Sequence, residues 1–309
     1  MSATVSFSGP SLSNQARPWW QPGVIQHGDL ALMVMRVLFA LLVYSMIKWE
    51  TAPYTTQEHP NGIASFIDLT WLAKNPPGVW AKAVTAAGLV LYAVNLLPAL
   101  GLLPALFYAV TIGTLITSQS KNVNHSWQMV TMMLLAQTLI YAVIAVRNHD
   151  WLRPPRLVHQ SAVYATTVVI AASYTVCGIV KVVNSDFQWI QKVPLLSVQL
   201  LKSNWANYYN TFEKPPAWLE TATQWVVDYP NFARLFFGTG LLIELLGFVI
   251  MISRGWAFWG GAAIVLLHVS ISQVMQLDFL NHIYAALIFL VLPNALAVIG
   301  RKSADGRTV

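Results

Sequence analysis

Long apolar runs separated by short polar turns dominate the chain. A bilayer core of about 30 Å is crossed by about 20 apolar residues in helical conformation. The pattern predicts eight membrane spans, at about 30–49, 83–101, 104–119, 126–146, 161–183, 233–252, 256–276 and 279–299. Pro98, Gly101 and Pro104 favour a tight turn between the second and third spans. Seven spans result instead if 83–119 forms one kinked helix.

Two longer segments, 50–82 and 184–232, interrupt this pattern and are rich in Trp and Tyr. These side chains favour the membrane–water interface, because each combines an apolar ring with a polar group. The segment 184–232 is broken at Lys214-Pro215-Pro216, which predicts two short helices that lie on the outer face and cap the bundle. An aromatic belt without further function is the alternative.

Composition supports a membrane protein. The chain has 309 residues, of which 56% are hydrophobic and 10% are charged, whereas about a quarter of the residues in soluble domains are charged. This excludes a soluble enzyme, a disordered chain and a conventional nucleic-acid binder. The single cysteine, Cys177, allows no intrachain disulfide and no multi-cysteine metal centre, and we predict no metal. We expect an all-α polytopic bundle of about eight spans.

The domain organisation and the orientation follow from the polar segments. We expect a polar N-terminal segment at 1–29 without a signal peptide, a membrane domain at 30–299 that includes the outer segment 184–232, and a tail at 300–309. The loop 147–160, the turn 253–255 and the tail carry most of the short-loop arginines. Because such loops favour the cytoplasm, both termini are predicted to be cytoplasmic.

Ionisable side chains inside spans are rare and mark candidate functional positions. Five stand out, with His282 at the outer mouth of the last span: Arg36, His125, Lys181, Glu244 and His268. Lys181 has apolar β-branched neighbours, and a desolvated amine is a candidate general base. The alternative for Lys181 is snorkelling to water. His125 is expected at the same depth, where the two groups could hold a polar ligand head between them.

Arg36 and Glu244 are candidates for a structural ion pair, either with each other or separately with polar backbone. His268 alone is more typical of a hydrogen-bonded packing residue than of a ligand.

Taken together, these residues resemble the vitamin K-dependent gamma-glutamyl carboxylase family, whose membrane portion recurs in bacteria as the HTTM domain. The resemblance covers roughly residues 28–295. The stretches that carry it are Arg36 in the first span, Asn124-His125-Ser126-Trp127, Gly178 to Lys181 followed by Trp189, Glu244 followed by Ser253-Arg254, and His268 followed by Ser272-Gln273.

The resemblance implies an oxidoreductase or lyase chemistry in a bacterial inner membrane. In that family a lysine deprotonates a reduced naphthoquinone (vitamin K hydroquinone or menaquinol), which reacts with O₂, and the resulting strong base abstracts a proton from a second substrate. The base role falls on Lys181 and the assisting role on His125. The candidate substrate-binding residues are Asn124, Trp127, Trp189, His268 and His282.

The departures from the family bear on the second substrate. The carboxylating members carry a large extramembrane region after the bundle, whereas this chain stops about ten residues past its last predicted span, and Val180 replaces one lysine of the family's pair. Peptide gamma-carboxylation is therefore not expected, although a secreted peptide or a partner membrane protein stays open. The alternative functions are a non-catalytic membrane partner such as an immunity factor, a haem-carrying electron-transfer protein with bis-histidine ligation, and, more weakly, a transporter.

Overall fold

The computed structural model describes residues 25–48, 78–119, 125–149, 151–277 and 279–297, without the side chains of 112–119, 125 and 126. The prediction of an all-helical bundle is confirmed for this part of the chain, in which there is no strand. The helices are α1 Asp29–Lys48, α2 Val79–Ala93, α3 Pro98–Gln119, α4 His125–Asn148, α5 Arg156–Asn184, α6 Trp189–Lys192, α7 Leu196–Thr211, α8 Trp218–Asp228, α9 Pro230–Leu245, α10 Arg254–Met275 and α11 Leu280–Ala297.

Five of these helices have the length and hydropathy needed to cross a membrane: α1, α5, α10, α11 and the stretch Trp127–Asn148 of α4. The shorter apolar helices are Val79–Ala93 and the stretch Pro98–Thr111 of α3. Helix α9 ends at Leu245 and continues as a 3₁₀ segment, Gly247–Met251. The described chain is therefore a membrane protein with several apolar helices, of which five are long enough to span.

The α2–α3 hairpin corrects the predicted turn. The chain reverses at Val94–Leu97, where Asn95 and Leu97 take left-handed conformations with φ of 59° and 49°. Pro98 then starts α3 and Pro104 lies inside it, so the single kinked helix over 83–119 is wrong. A Cβ added to Gly88 would lie 2.4 Å from the Gly101 carbonyl oxygen, and only glycine permits this backbone approach.

The bundle has two distinct ends. At the first, here called the arginine end, Arg156 at the start of α5 binds Asp29 at the start of α1 and the carbonyl of His27, and Arg254 at the start of α10 binds the carbonyl of Gln26. At the opposite end α5 and α10 finish and α9 and α11 begin.

Helices α7 and α8, the cap helices, lie at that opposite end. Their buried residues Leu200, Leu219 and Val226 form a second core cluster with Val193, which precedes α7, and Ala233 of α9. Val274 and Met275 of α10 pack against this cluster. The chain between them, 212–217, contains the predicted Pro215-Pro216 break. The cap helices therefore pack on the bundle through their own apolar contacts, separate from the main core.

Candidate functional site

An ion pair between Lys181 and Glu244 is the principal feature near the cap end. The Lys181 Nζ donates to both carboxylate oxygens of Glu244, at 2.5 Å to Oε1 and 2.7 Å to Oε2. The two partners differ in exposure, because the Lys181 side chain is 40% exposed and that of Glu244 is 7% exposed. The pair thus has one accessible end and one buried end.

Glycines set the distance between the two helices that carry this pair. A Cβ on Gly178 of α5 would lie 2.8 Å from the backbone nitrogen of Leu245, and one on Gly247 would lie 2.8 Å from the Cβ of Tyr174. Both contacts are closer than real Cβ atoms tolerate. Because α5 and α9 run antiparallel in this register, Lys181, one turn beyond Gly178, reaches Glu244, the neighbour of Leu245.

One face of α5 carries the reactive side chains. Tyr174, Cys177 and Lys181 lie three and four residues apart, a spacing that places side chains on the same side of a helix. The Cys177 thiol is exposed, and the charges of Glu244 and Lys181 both act on it. The ion pair therefore adjoins a thiol on one side and a tyrosine one further turn away.

A cluster of rings extends from this face across the bundle. The Tyr174 hydroxyl and His268 Nε2 share a hydrogen bond of 2.6 Å, whose direction depends on the histidine tautomer. Phe279 stacks on His268 with 4.7 Å between ring centroids, and His282 lies 5.0 Å from His268. The Nδ1 of His268 is buried without a hydrogen-bond partner. Side chains of three helices, α5, α10 and α11, and of Phe279, which precedes α11, therefore meet at His268.

Arg36 belongs to a different part of the interior. Its charge acts on Tyr92, Tyr141 and His159, and its Nε is buried without a hydrogen-bond partner. Within the described ranges the ion pairs are Lys181–Glu244 and Arg156–Asp29. The partner of Glu244 is Lys181, which was not among the partners predicted from the sequence, and the expected pair of Glu244 with Arg36 is not formed among the described residues.

This second polar group contains two short hydrogen bonds. The Tyr92 hydroxyl donates to Gln137 Oε1 at 2.6 Å, and the Tyr141 hydroxyl and His159 Nδ1 are 2.8 Å apart. These contacts join α2, α4 and α5 around Arg36 of α1, which supports a structural role for this group.

The remaining residues predicted for the site are Asn124, His125, Trp127 and Trp189. Asn124 lies outside the described residues. His125 begins α4, but its side chain is not described, so its proximity to Lys181 stays a prediction. Trp127 is buried, and its Nε1 donates to the Ala109 carbonyl at 2.7 Å. Its role in substrate binding stays a prediction. Trp189 packs against the cap cluster.

Three members of the site were absent from the sequence-based candidates: Tyr174, Cys177 as a neighbour of the pair, and Phe279. Tyr174 and Cys177 carry the spacing signal of a shared helix face with Lys181, which a search for charged residues alone does not include. Phe279 carries no such signal, because its contact with His268 depends on the turn between α10 and α11.

The described residues bear on the alternative cofactors. They contain no group of three or more His, Cys, Asp or Glu side chains placed to hold a metal ion. The His268 and His282 rings are in direct contact, so no porphyrin plane fits between them as bis-histidine ligation requires. This pair does not suit haem.

The fold and the site together define a helical membrane protein with a lysine–glutamate pair at one end of its bundle, next to a tyrosine–histidine cluster. Comparison with models of protein families, with curated proteins and with solved structures gave no match.

Proposed function

We propose that this chain is a membrane enzyme that takes a proton from a lipid-borne reduced naphthoquinone and couples its oxidation by O₂ to proton abstraction from a second substrate. The observation that carries the proposal is the Lys181–Glu244 pair, in which a buried carboxylate and an accessible amine share two short hydrogen bonds.

The geometry refines the role of the lysine. The Lys181 nitrogen acts as the donor to Glu244, so the lone pairs available to accept a proton are those of the carboxylate. In our proposal Glu244 accepts the hydroxyl proton of the ligand, and the Lys181 ammonium stabilises the negative charge left on the proton donor. The pair therefore acts as one unit, which differs from a lone amine base.

The surroundings of the pair fit a lipid-borne ligand. Apolar side chains of α5, of α9 and of the residue that follows α9 are exposed on the outside of the bundle near the pair: Val176, Ile179, Val180, Val183, Leu242 and Leu246. In a bilayer such a surface faces acyl chains, so a ring carried by an isoprenoid tail reaches the exposed end of Lys181 from the lipid. Glu244 supplies the acceptor that a hydroquinone hydroxyl requires, and the bound hydroquinone would supply the electrons for O₂ reduction.

The tyrosine–histidine cluster gives the accepted proton a route away from the pair. The Glu244 charge acts on Tyr174, and the Tyr174 hydroxyl is bonded to His268. In our proposal a proton that reaches Tyr174 moves along its hydrogen bond to His268 toward the turn between α10 and α11, because both groups donate and accept hydrogen bonds. His125, as the predicted partner in quinol binding, stays part of this proposal.

We also propose that eight helices cross a bacterial inner membrane, namely the five long and two shorter apolar helices together with α9 and its 3₁₀ extension, with the arginine end and both termini in the cytoplasm. Support for this orientation comes from the arginines at one end of the bundle, Arg147, Arg153, Arg156 and Arg254. The cap helices then lie on the outer face. A secreted peptide remains the candidate for the second substrate.

The test uses the purified full-length protein with reduced menaquinone or vitamin K and O₂, and mass spectrometry of the quinones. We expect the epoxide from the native protein and from the control variant Lys192→Met, whose amine makes a solvent-exposed hydrogen bond to the Ser185 carbonyl. Glu244→Gln should reduce epoxide formation at least about 100-fold, because the proton acceptor is lost.

Two results would contradict the proposal. The first is the absence of epoxide from the native protein with either quinol. The second is undiminished turnover in Glu244→Gln, which would assign the pair a structural role and favour a non-catalytic membrane partner.

A further inference from the structure

A small cavity lies at the arginine end, remote from the Lys181–Glu244 pair. It has a volume of about 20 Å³ and lies between the residues that precede α1, the first half of α5 and the last helix, with Met251 of the 3₁₀ segment and Ala257 of α10 also in its wall. Its lining includes Ile25, His27, Thr167, Phe289, Leu290 and Asn294. A void of this size accommodates one water molecule.

Two buried polar atoms of this lining have no hydrogen-bond partner. His27 is 4% exposed and Asn294 is 2% exposed, and the atoms concerned are His27 Nδ1 and Asn294 Oδ1. A polar atom buried without a partner costs about 1–3 kcal/mol, and native proteins commonly satisfy such atoms with an ordered water. Both atoms belong to residues that line the same cavity.

The orientation of the Asn294 amide is fixed by the helix around it. Residues Leu287–Val291 form a π segment, in which backbone hydrogen bonds join residues five apart instead of four. Some carbonyl groups are therefore left for other partners. The Asn294 Nδ2 donates to the Leu290 carbonyl at 2.6 Å. Because the nitrogen is used there, the oxygen is the atom presented to the cavity as an acceptor.

The His27 backbone is held equally firmly. Its N–H donates to Gln160 Oε1 at 3.0 Å, and its carbonyl accepts from Gln160 Nε2 at 2.5 Å and from Arg156 at 2.7 Å. These three bonds fix the residue against α5, so the imidazole ring has a defined position in the cavity wall.

The charges around the cavity decide which molecule it can hold. Arg254 acts on His27 and Arg156 contacts its carbonyl, so a cation is disfavoured. An anion is disfavoured as well, because Asn294 Oδ1 is an acceptor. The remaining class is a neutral donor with one heavy atom.

We propose that this cavity is a binding site for one water molecule, which donates one hydrogen to Asn294 Oδ1 and the other to His27 Nδ1. The water joins the segment before α1 to the last helix, through two side-chain atoms that have no hydrogen-bond partner within the protein. His27 then carries its own proton on Nε2.

The experiment is radiolytic labelling of the full-length protein in micelles with ¹⁸O-water, read out by mass spectrometry. A bound water yields hydroxyl radicals in place, so buried side chains beside it are oxidised although bulk solvent does not reach them. Phe289 and Phe39 provide an internal comparison, because they are 2% and 0% exposed and their rings are 5.5 Å apart, but only Phe289 lines the cavity. We expect Phe289 to be labelled several-fold faster than Phe39.

The variant Asn294→Leu removes the acceptor and fills the space. It should lower Phe289 labelling to the level of Phe39, whereas Thr138→Val, which changes a buried hydroxyl away from the cavity lining, should leave the labelling unchanged. His27→Phe gives an independent arm with the same expected loss, in case Asn294→Leu does not accumulate. Equal labelling of Phe289 and Phe39 in the native protein, or Phe289 labelling that survives both variants, would overturn the proposal.

Discussion

The two charged side chains of the Lys181–Glu244 pair differ in how far they are buried. Glu244 is buried and has Lys181 as its partner, whereas Lys181 retains contact with the exterior. An unpaired charge is costly in proportion to its burial, so the two members of the pair should not be equivalent when one is removed.

We therefore predict that Lys181→Met lowers the free energy of unfolding by about 2–3 kcal/mol, since it leaves a buried carboxylate without a partner. Glu244→Gln should cost about 1 kcal/mol or less, because the lysine can extend to water. Thermal unfolding in micelles measures both, with Lys192→Met expected within about 0.5 kcal/mol of the native protein. The reverse order of the two losses would show that Glu244 is not the buried partner.

His27 gives a second prediction at this scale. Burial, and then the charge of Arg254, lower the pKa of His27 from 6.5 to about 4. Between these two values the unfolded segment binds a proton that the docked segment does not, so acid weakens the docking of residues 25–28. The loss should be on the order of 3 kcal/mol once the pH falls below about 4, and absent above about pH 6.5.

The measurement is hydrogen exchange of the amides of residues 25–28 as a function of pH, corrected for the intrinsic exchange rate. The same profile in His27→Phe should lack the acid-dependent part, although Arg156, Arg254 and Asp29 remain nearby. A native profile that is flat between pH 4 and 6.5 would contradict the assignment to His27.

At the scale of the helices, the close contact between α5 and α9 depends on the absence of a side chain at Gly178. Gly178→Ala places a Cβ against the backbone of Leu245, which cannot move without shifting α9. We expect a destabilisation of about 1–3 kcal/mol and a longer Lys181–Glu244 distance, with loss of the proposed turnover.

A matched control is Gly255→Ala, where the nearest atom to an added Cβ is 3.8 Å away. Because alanine favours a helix over glycine by about 1 kcal/mol, Gly255→Ala should be neutral or stabilising in the same thermal unfolding assay. Equal effects of the two substitutions would remove the argument for close helix contact at Gly178.

The hydropathy pattern predicted the positions of the helices more accurately than the residues at which they begin and end. The runs near 30–49, 126–146 and 256–276 match α1, α4 and α10 closely. Between α2 and α3 it misplaced the turn, because Pro98 was interpreted as a break although proline is well suited to the first turn of a helix. Of the two turn residues with positive φ, Asn95 is of a type that tolerates this conformation, whereas Leu97 is not and therefore carries no turn signal.

At the scale of the whole molecule, the candidate site could be predicted only in part. The rarity of charge inside spans was sufficient to select Lys181, Glu244 and His268. The pairing was not predictable, because periodicity gives the position of a helix but not its rotation relative to a helix 63 residues away. His27 was missed because it precedes the first span, in a segment interpreted as a polar terminus.

The proposed orientation is testable on intact cells. After Cys177→Ala removes the only cysteine, Lys214→Cys between the cap helices should react with a membrane-impermeant maleimide. Arg153→Cys, at the arginine end, should react only after the membrane is permeabilised. Labelling with the opposite sidedness would invert the topology, and labelling of both positions would be incompatible with a bilayer between the two ends.

The π segment Leu287–Val291 has one further consequence, for the tolerance of the last helix to insertions and deletions. A π segment accommodates one residue more than a regular helix of the same rise. Deletion of one residue within it would restore a regular helix of the same rise and leave the rotation of the following residues unchanged, whereas a deletion in a regular part of the helix would rotate everything downstream by about 100°. Only a deletion outside the segment would turn Asn294 away from its present side of the helix, so this helix should tolerate the loss of one residue within Leu287–Val291 better than at other positions before Asn294.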